Sequence, residues 1–299
     1  MVMNLRDLKY LVAVADHLNF GRAADYCHTT QPTLSMQIKK LEEYLGVAVF
    51  ERTNKQVMIT ANGKVIIEHA RKILQQSEEI ISYAKSCSDP FAGEFKLGAF
   101  PTIAPYLLPR IIPLIKATMP KLNMFLVEEK TPQLLAKVNS GQLDAAILAL
   151  PVVDENLTTK ALFKDNFCLA VPKNHALAQN KKVEMADIAS EELLLLEDGH
   201  CLRDQALQVC QLSGAKENNG FRATSLETLR QMVAAGSGIT LMPEIAITAV
   251  KDPLISYIPF AGSPPSRMIG LVWRKSSLRI KPIMKIEELC RQNKLKDHL

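Results

Sequence analysis

The sequence predicts a winged helix-turn-helix domain over residues 1–60, a long linking helix over 61–88, and a two-lobed α/β domain over 89–299. Three observations predict this. Apolar residues near the start recur at helical spacing and lead into a short β-prone hairpin. Residues 61–87 hold no proline and a single glycine. After Cys87-Ser88-Asp89-Pro90 the pattern changes to alternating strands and helices.

Leu5, Leu8, Leu11, Val12, Ala15 and Leu18 place an amphipathic helix over about 4–17. A short second helix is expected at Arg22–Cys27, whose alanines permit close approach. In His28-Thr29-Thr30-Gln31-Pro32-Thr33-Leu34-Ser35, Thr30 suits an N-cap and Pro32 a first turn, so a third helix is expected from here through Leu41. Two short helices around a tight turn, the second opening with short hydrogen-bonding side chains, meet the needs of a helix-turn-helix reading base edges. Val47–Arg52 and Gln56–Thr60 flank Thr53-Asn54-Lys55 as a wing, with Arg52 and Lys55 placed for backbone phosphate. A plain helical bundle with a solvated hairpin is the rival reading, and the wing weighs against it.

In the long helix Ile66, Ala70, Ile73, Ser77, Ile80 and Ala84 are spaced as a heptad seam. A seam on a thin linker has no core of its own, so it is expected to face a second copy. The dimer would then address two half-sites about 34 Å apart or a multiple of that.

Strands are expected at 94–100, 121–128, 145–148, 167–171, 220–223, 238–242 and 268–273, with helices at 103–118, 132–139, from Arg203 or Asp204, at 226–235 and at 280–294. This alternation implies parallel sheets with helices on their faces. Lobe I takes about 89–163 and 268–299, lobe II about 164–267. Thr102, just past the first strand, falls at the mouth between the lobes, where ligands of open sheets bind.

Composition bounds the rest. The chain has 299 residues, 47% hydrophobic and 22% charged, as in an ordinary globular protein. No apolar run nears the ~20 residues of a membrane span, and the start lacks the basic-then-apolar pattern of a signal peptide. A cytoplasmic location with no membrane partner is therefore expected. Net charge is +5, and residues 1–88 carry 11 Lys and Arg against 9 Asp and Glu, so bulk charge does not identify a nucleic-acid partner. The case for double-stranded DNA rests on motif.

Cys27, Cys87, Cys168, Cys201, Cys210 and Cys290 are scattered, unlike a secreted disulfide framework. Cys201 and Cys210 stand out. On one helix nine residues separate their Cα atoms by roughly 13 Å, against at most about 7 Å for a disulfide. A bond between them would force the segment to move or unwind. The spacing equally suits two packing cysteines on a core helix. His200 and Arg203 flank Cys201 near a helix start, which favours a thiolate, and Asp204 is placed to hold either cation. An oxidised thiol beside a second one condenses to a disulfide.

The series Ala23-Ala24-Asp25, Gln31-Pro32-Thr33-Leu34-Ser35, Ile38-Lys39-Lys40-Leu41-Glu42, Leu45-Gly46 and Phe50-Glu51-Arg52 resembles the LysR-type transcriptional regulators over residues 3–64. The remainder fits that family's periplasmic-binding-protein-like effector domain. Leu196-Glu197-Asp198-Gly199-His200-Cys201-Leu202-Arg203-Asp204-Gln205-Ala206 with Cys210, and Pro101–Pro109, resemble the hydrogen-peroxide-sensing members.

The resemblance implies Cys201 as peroxidatic cysteine and Cys210 as resolving cysteine. It implies a peroxide pocket of Thr102, Thr131, His200, Asp204 and Arg267, and DNA contacts from Gln31, Thr33, Ser35 and Arg52. It further implies activation of antioxidant genes, a dimer of dimers, contact with RNA polymerase and a thiol reductant such as glutaredoxin. No cofactor, no metal and no turnover activity are expected. The rival within this architecture is a regulator binding a small metabolite between its lobes. A thiol peroxidase is the rival from another class, and the wing and linking helix argue against it.

Overall fold

The computed structural model describes residues 3–52, 57–86, 89–249 and 252–295. The chain divides into two compact units, Met1–Cys87 and Ser88–Leu299.

In the first unit α1 (Leu5–His17) opens with a capping box: Asn4 accepts from the Arg6 and Asp7 amides while Asp7 accepts from the Asn4 N–H. Then follow α2 (Phe20–Tyr26) and α3 (Gln31–Leu45), which ends at Gly46 with φ +71. α2 starts two residues earlier than the sequence predicts because Asn19 caps it through the Arg22 amide. Thr30 holds the N-cap position of α3 but does not cap it. Its hydroxyl shares a 2.8 Å hydrogen bond with that of Thr33 instead.

The antiparallel pair β1 (Phe50–Arg52) and β2 (Val57–Ile59) forms the wing. Glu42 ties it to α3 by accepting from the Val49 and Phe50 amides at 2.8 and 3.0 Å. The wing tip with Lys55, the Arg52 side chain, and Cys87 lie outside the described residues.

The long α4 (Ala61–Ser86) crosses the core with Gly63 at its start, where a Cβ would come within 2.2 Å of the Val49 carbonyl oxygen. Leu8, Leu11, Val14, Phe20, Ala23, Leu34, Ile38, Leu41 and Ala70 form that core. The predicted seam is thereby divided. Ala70 is buried and Ile66 packs against the same core, whereas Ile73 and Ile80 are 39% and 71% exposed.

The second unit runs β3 (Gly93–Ala99), α5 (Ala104–Thr118), β4 (Leu122–Glu128), α6 (Thr131–Asn139), β5 (Ala145–Leu150), β6 (Leu157–Pro172), β7 (Glu192–Leu196), α7 (Cys201–Ser213), β8 (Lys216–Ala223), α8 (Leu226–Ala234), β9 (Thr240–Pro243), α9 (Glu244–Ala249), β10 (Ile255–Pro259), β11 (Ser266–Arg274) and α10 (Ile280–Leu295). One seven-stranded sheet has the order β10-β6-β11-β5-β3-β4, with β9 also pairing β6; β7 and β8 form a separate pair, and Leu193 of β7 bridges Ile239 just before β9.

β6 changes partners along its length: it pairs β11 up to Asn166 and β9 and β10 from Phe167 onward. Pro265 meets it there, its carbonyl accepting from the Phe167 amide.

The sheets are mixed, which corrects the expectation of parallel ones. β3 pairs β4 and β5 in parallel, as β7 pairs β8, but every pairing of β6 and β11 is antiparallel. β11 lies between β5 and β6 and runs antiparallel to both, so the strand returning from the second half of the chain breaks the parallel order that β4, β3 and β5 begin. Among the described residues no helix is long and apolar enough to cross a membrane.

Candidate redox centre and DNA-reading helix

β7 ends at Leu196, and the chain turns through Gly199 at φ +87 to start α7 at Cys201. Cys210 lies on the same helix, so the two cysteines are held about 13 Å apart, and both are free thiols. A disulfide needs that helix to change.

Cys201 is half-buried and Cys210 is buried. Burial pushes the Cys201 thiol above its ordinary pKa; the Arg267 charge and the Leu202 amide pull it down, and Asp204 adds to the rise. Burial and then Glu217 push Cys210 up as well.

The flanking cations do not act as the sequence suggested. Arg203 turns away from the thiol. It donates to Asp198 at 2.8 Å, to both oxygens of Glu217 at 2.7 and 3.0 Å, and to the Leu196 carbonyl at 3.2 Å. His200 is 4% exposed, and burial first, then the Lys130 charge, hold its pKa below the ordinary value, against a smaller pull from Glu197. Its imidazole is therefore neutral at pH 7. Asp204 is exposed and, among the described residues, pairs with neither cation.

The charge near the thiol comes from Arg267 instead. This side chain is fully buried between the Phe100 and Phe167 rings, with ring centres at 5.2 and 5.8 Å. Its Nε donates to Asp165 at 2.9 Å, and its two terminal nitrogens donate to the hydroxyl and carbonyl of Thr102 at 2.7 and 3.0 Å. Arg267 and Asp165 are direct partners across β11 and β6, so the strand register puts both side chains on one face. Asp165 is the residue that sequence reasoning missed, because its meaning depends on a partner 102 positions away.

Thr131 opens α6 with its hydroxyl buried and without a hydrogen-bond partner, as is the Nε2 of His200. Buried polar atoms rarely stay unsatisfied, and these two belong to residues the sequence placed in one pocket. Arg267 joins Thr102 to the neighbourhood of Cys201, while Asp204 stays at its edge.

In the first unit Gln31 and Thr33 stand exposed on the opening turn of α3, and Ser35 is half-buried behind them. Met36, Lys39 and Lys40 extend the same exposed surface.

These features occur in a recognised setting. Residues 5–64 match the bacterial regulatory helix-turn-helix of the LysR family, and residues 88–294 match the LysR substrate binding domain. The chain belongs to the LysR family of bacterial regulators.

It is similar to the DNA-binding transcriptional dual regulator OxyR of Escherichia coli, 49% identical over 92% of this chain and 90% of that protein. A full-length cysteine variant of OxyR from Pseudomonas aeruginosa superposes with a TM-score of 0.80 at 36% identity, covering 97% of this chain and 95% of the other. The oxidised form of OxyR matches with a TM-score of 0.63 at 47% identity, over 69% of this chain and 97% of that one.

Proposed function

We propose that this chain is a peroxide-responsive transcriptional regulator of the OxyR type, switched by oxidation of Cys201 and a disulfide to Cys210. The observation that carries the reading is the pair of free thiols held apart on α7, one of them within reach of the Arg267 charge. Peroxide would meet Cys201 where Thr131 and His200 offer unsatisfied polar atoms and Thr102 is fixed by Arg267. Since burial keeps most of the thiol protonated, orientation of the peroxide in this pocket, more than a low resting pKa, carries the reactivity.

The assignment follows the division of the chain. Residues 1–60 read promoter DNA through Gln31, Thr33, Ser35 and Arg52; 61–88 join two copies; and 89–299, in a periplasmic-binding-protein-like arrangement of two lobes, sense the oxidant. The work is regulation in the reducing cytoplasm, with antioxidant genes activated through RNA polymerase, tetramers as the working form, and a thiol reductant such as glutaredoxin resetting the switch.

One observation favours a second reading, control by a small metabolite. A cleft of about 630 Å³ lies between the lobes, lined by Tyr106, Arg110, Glu128, Ser225, Glu227 and Thr248 among others. Neither cysteine lines it.

Mass spectrometry of thiol-blocked protein before and after one equivalent of peroxide separates the two. A Cys201–Cys210 disulfide is expected, and Cys201→Ser should abolish the transcriptional response while leaving operator binding intact. A parent-like peroxide response in Cys201→Ser would sink the switch.

A further inference from the structure

The loop that carries Cys201 into α7 is held from the opposite lobe by one side chain. Lys130 stands immediately before α6, and its Nζ donates to Glu197 Oε1 at 2.5 Å and to the Asp198 carbonyl at 3.0 Å. Its aliphatic stem lies against the next residue: a Cβ on Gly199 would meet Lys130 Cδ at 3.2 Å. Three consecutive loop residues thus rest on Lys130, and His200 and Cys201 come next. The unpartnered Nε2 of His200 lies 3.9 Å from the same Glu197 oxygen.

We infer that Lys130 is a positioning residue: it latches the 197–199 loop to the first lobe in the reduced protein and so sets how fast oxidised Cys201 reaches Cys210. The inference rests on the cysteine-switch reading above.

That switch has two chemical steps. In the first, the Cys201 thiolate attacks one peroxide oxygen; an S–O bond forms, the O–O bond breaks, and the departing hydroxide takes up the thiol's proton as water. In the second, Cys210 sulfur attacks the sulfenic sulfur; the S–S bond forms, the S–O bond breaks, and hydroxide leaves with the Cys210 proton as a second water.

The first step occurs with the helix in place. The second requires the two cysteines to approach by about 6 Å or more. Cys201 cannot travel that far without drawing Gly199 and Asp198 off Lys130. Contacts made only in the resting geometry are lost before the S–S bond forms, so they retard closure and leave attack alone. Lys130 and Glu197 are 31% and 39% exposed, so the latch is weak enough to tune the switch without locking it.

Full-length protein carrying Lys130→Gln, Glu197→Gln or the exchanged pair Lys130→Glu with Glu197→Lys tests this. Attack is followed by dimedone trapping of the sulfenic acid in a Cys210→Ser background, and closure by quenched alkylation after one equivalent of peroxide. Thermal unfolding of the second unit reports that each variant is folded.

Either single substitution should speed closure about twofold to fivefold, the range set by a partly exposed ion pair, with attack unchanged within about 1.5-fold. The exchanged pair should restore closure toward the parent rate, and the dithiol–disulfide equilibrium in a glutathione buffer should shift toward disulfide by a similar factor in the single variants.

Parent-like closure in every variant overturns the latch while leaving the switch standing. Parallel changes in attack and closure also overturn it, because Lys130 would then be shaping the pocket. If the parent forms no Cys201–Cys210 disulfide, both readings fall.

Discussion

At the scale of single residues, Arg267 supplies the charge that most opposes the burial-driven rise of the Cys201 pKa, and it is itself buried at a cost that Asp165 and Thr102 offset. A charge in that position is stable only while its partner remains. Arg267→Met would leave the Asp165 carboxylate buried, with the Ile245 amide at 3.2 Å as its remaining donor among the described residues. The effector domain should lose about 3–5 kcal/mol of stability, the usual cost of breaking a buried pair from one side.

The same substitution removes the attraction that opposes the burial-driven rise of the Cys201 pKa, so sulfenic acid formation at pH 7 should slow. Because the resting pKa is raised, the thiolate fraction in the parent should grow about tenfold per pH unit between pH 6 and 8. Chemical unfolding and the pH dependence of Cys201 alkylation in a Cys210→Ser background check both statements. A reactivity plateau below pH 7 would show that the thiol is already ionised at rest.

At the scale of elements, the proposed disulfide requires α7 to change. Its first turn is pinned by Arg203 to Glu217 on β8, Lys130 holds the loop before it, and Leu202, Ala206 and Val209 hold its apolar face in the core. Peroxide treatment of the parent should therefore raise hydrogen exchange across residues 197–213 and on β8. In Cys210→Ser, which stops at the sulfenic acid, protection there should stay close to that of the reduced protein. Disulfide formation without any loss of protection would mean the cysteines meet with α7 intact, which a 13 Å helical separation forbids.

How legible these elements are in the sequence varies with the reach of the forces that make them. The helices of the first unit follow local periodicity and caps, and they form within a few residues of where the sequence places them. β6 is visible only as Phe167–Val171, because its first half, with Lys160, Lys164 and Asp165, is polar enough to read as loop. β7, a run of leucines, and α9, a single short helix after Pro243, have no period to read. At the site, the residue types around Cys201 are legible, but their roles are not. Arg203 pairs with Glu217 and Arg267 with Asp165 through contacts that no local spacing encodes.

At the scale of the whole molecule, the proposed regulator brings two DNA-reading units together, and α4 is the proposed contact between them. Ile66 and Ala70 pack in the core of their own unit, so the proposed contact falls on the later part of the helix, where Ile73, Ile80 and Ile81 are 39%, 71% and 55% exposed. Three isoleucines along three turns of a solvated helix are too many for a face that meets only water.

Burying one such side chain contributes about 1.5–3 kcal/mol, and a carboxylate placed there would add a desolvation cost. Ile80→Glu should therefore raise the dimer dissociation constant by at least about tenfold, measured by sedimentation equilibrium. Affinity for a two-half-site operator should fall, while binding to a single half-site stays near the parent value. Unfolding of the first unit should be unchanged, since Ile80 lies outside its core. A variant that keeps the parent dissociation constant would move the contact between copies off α4.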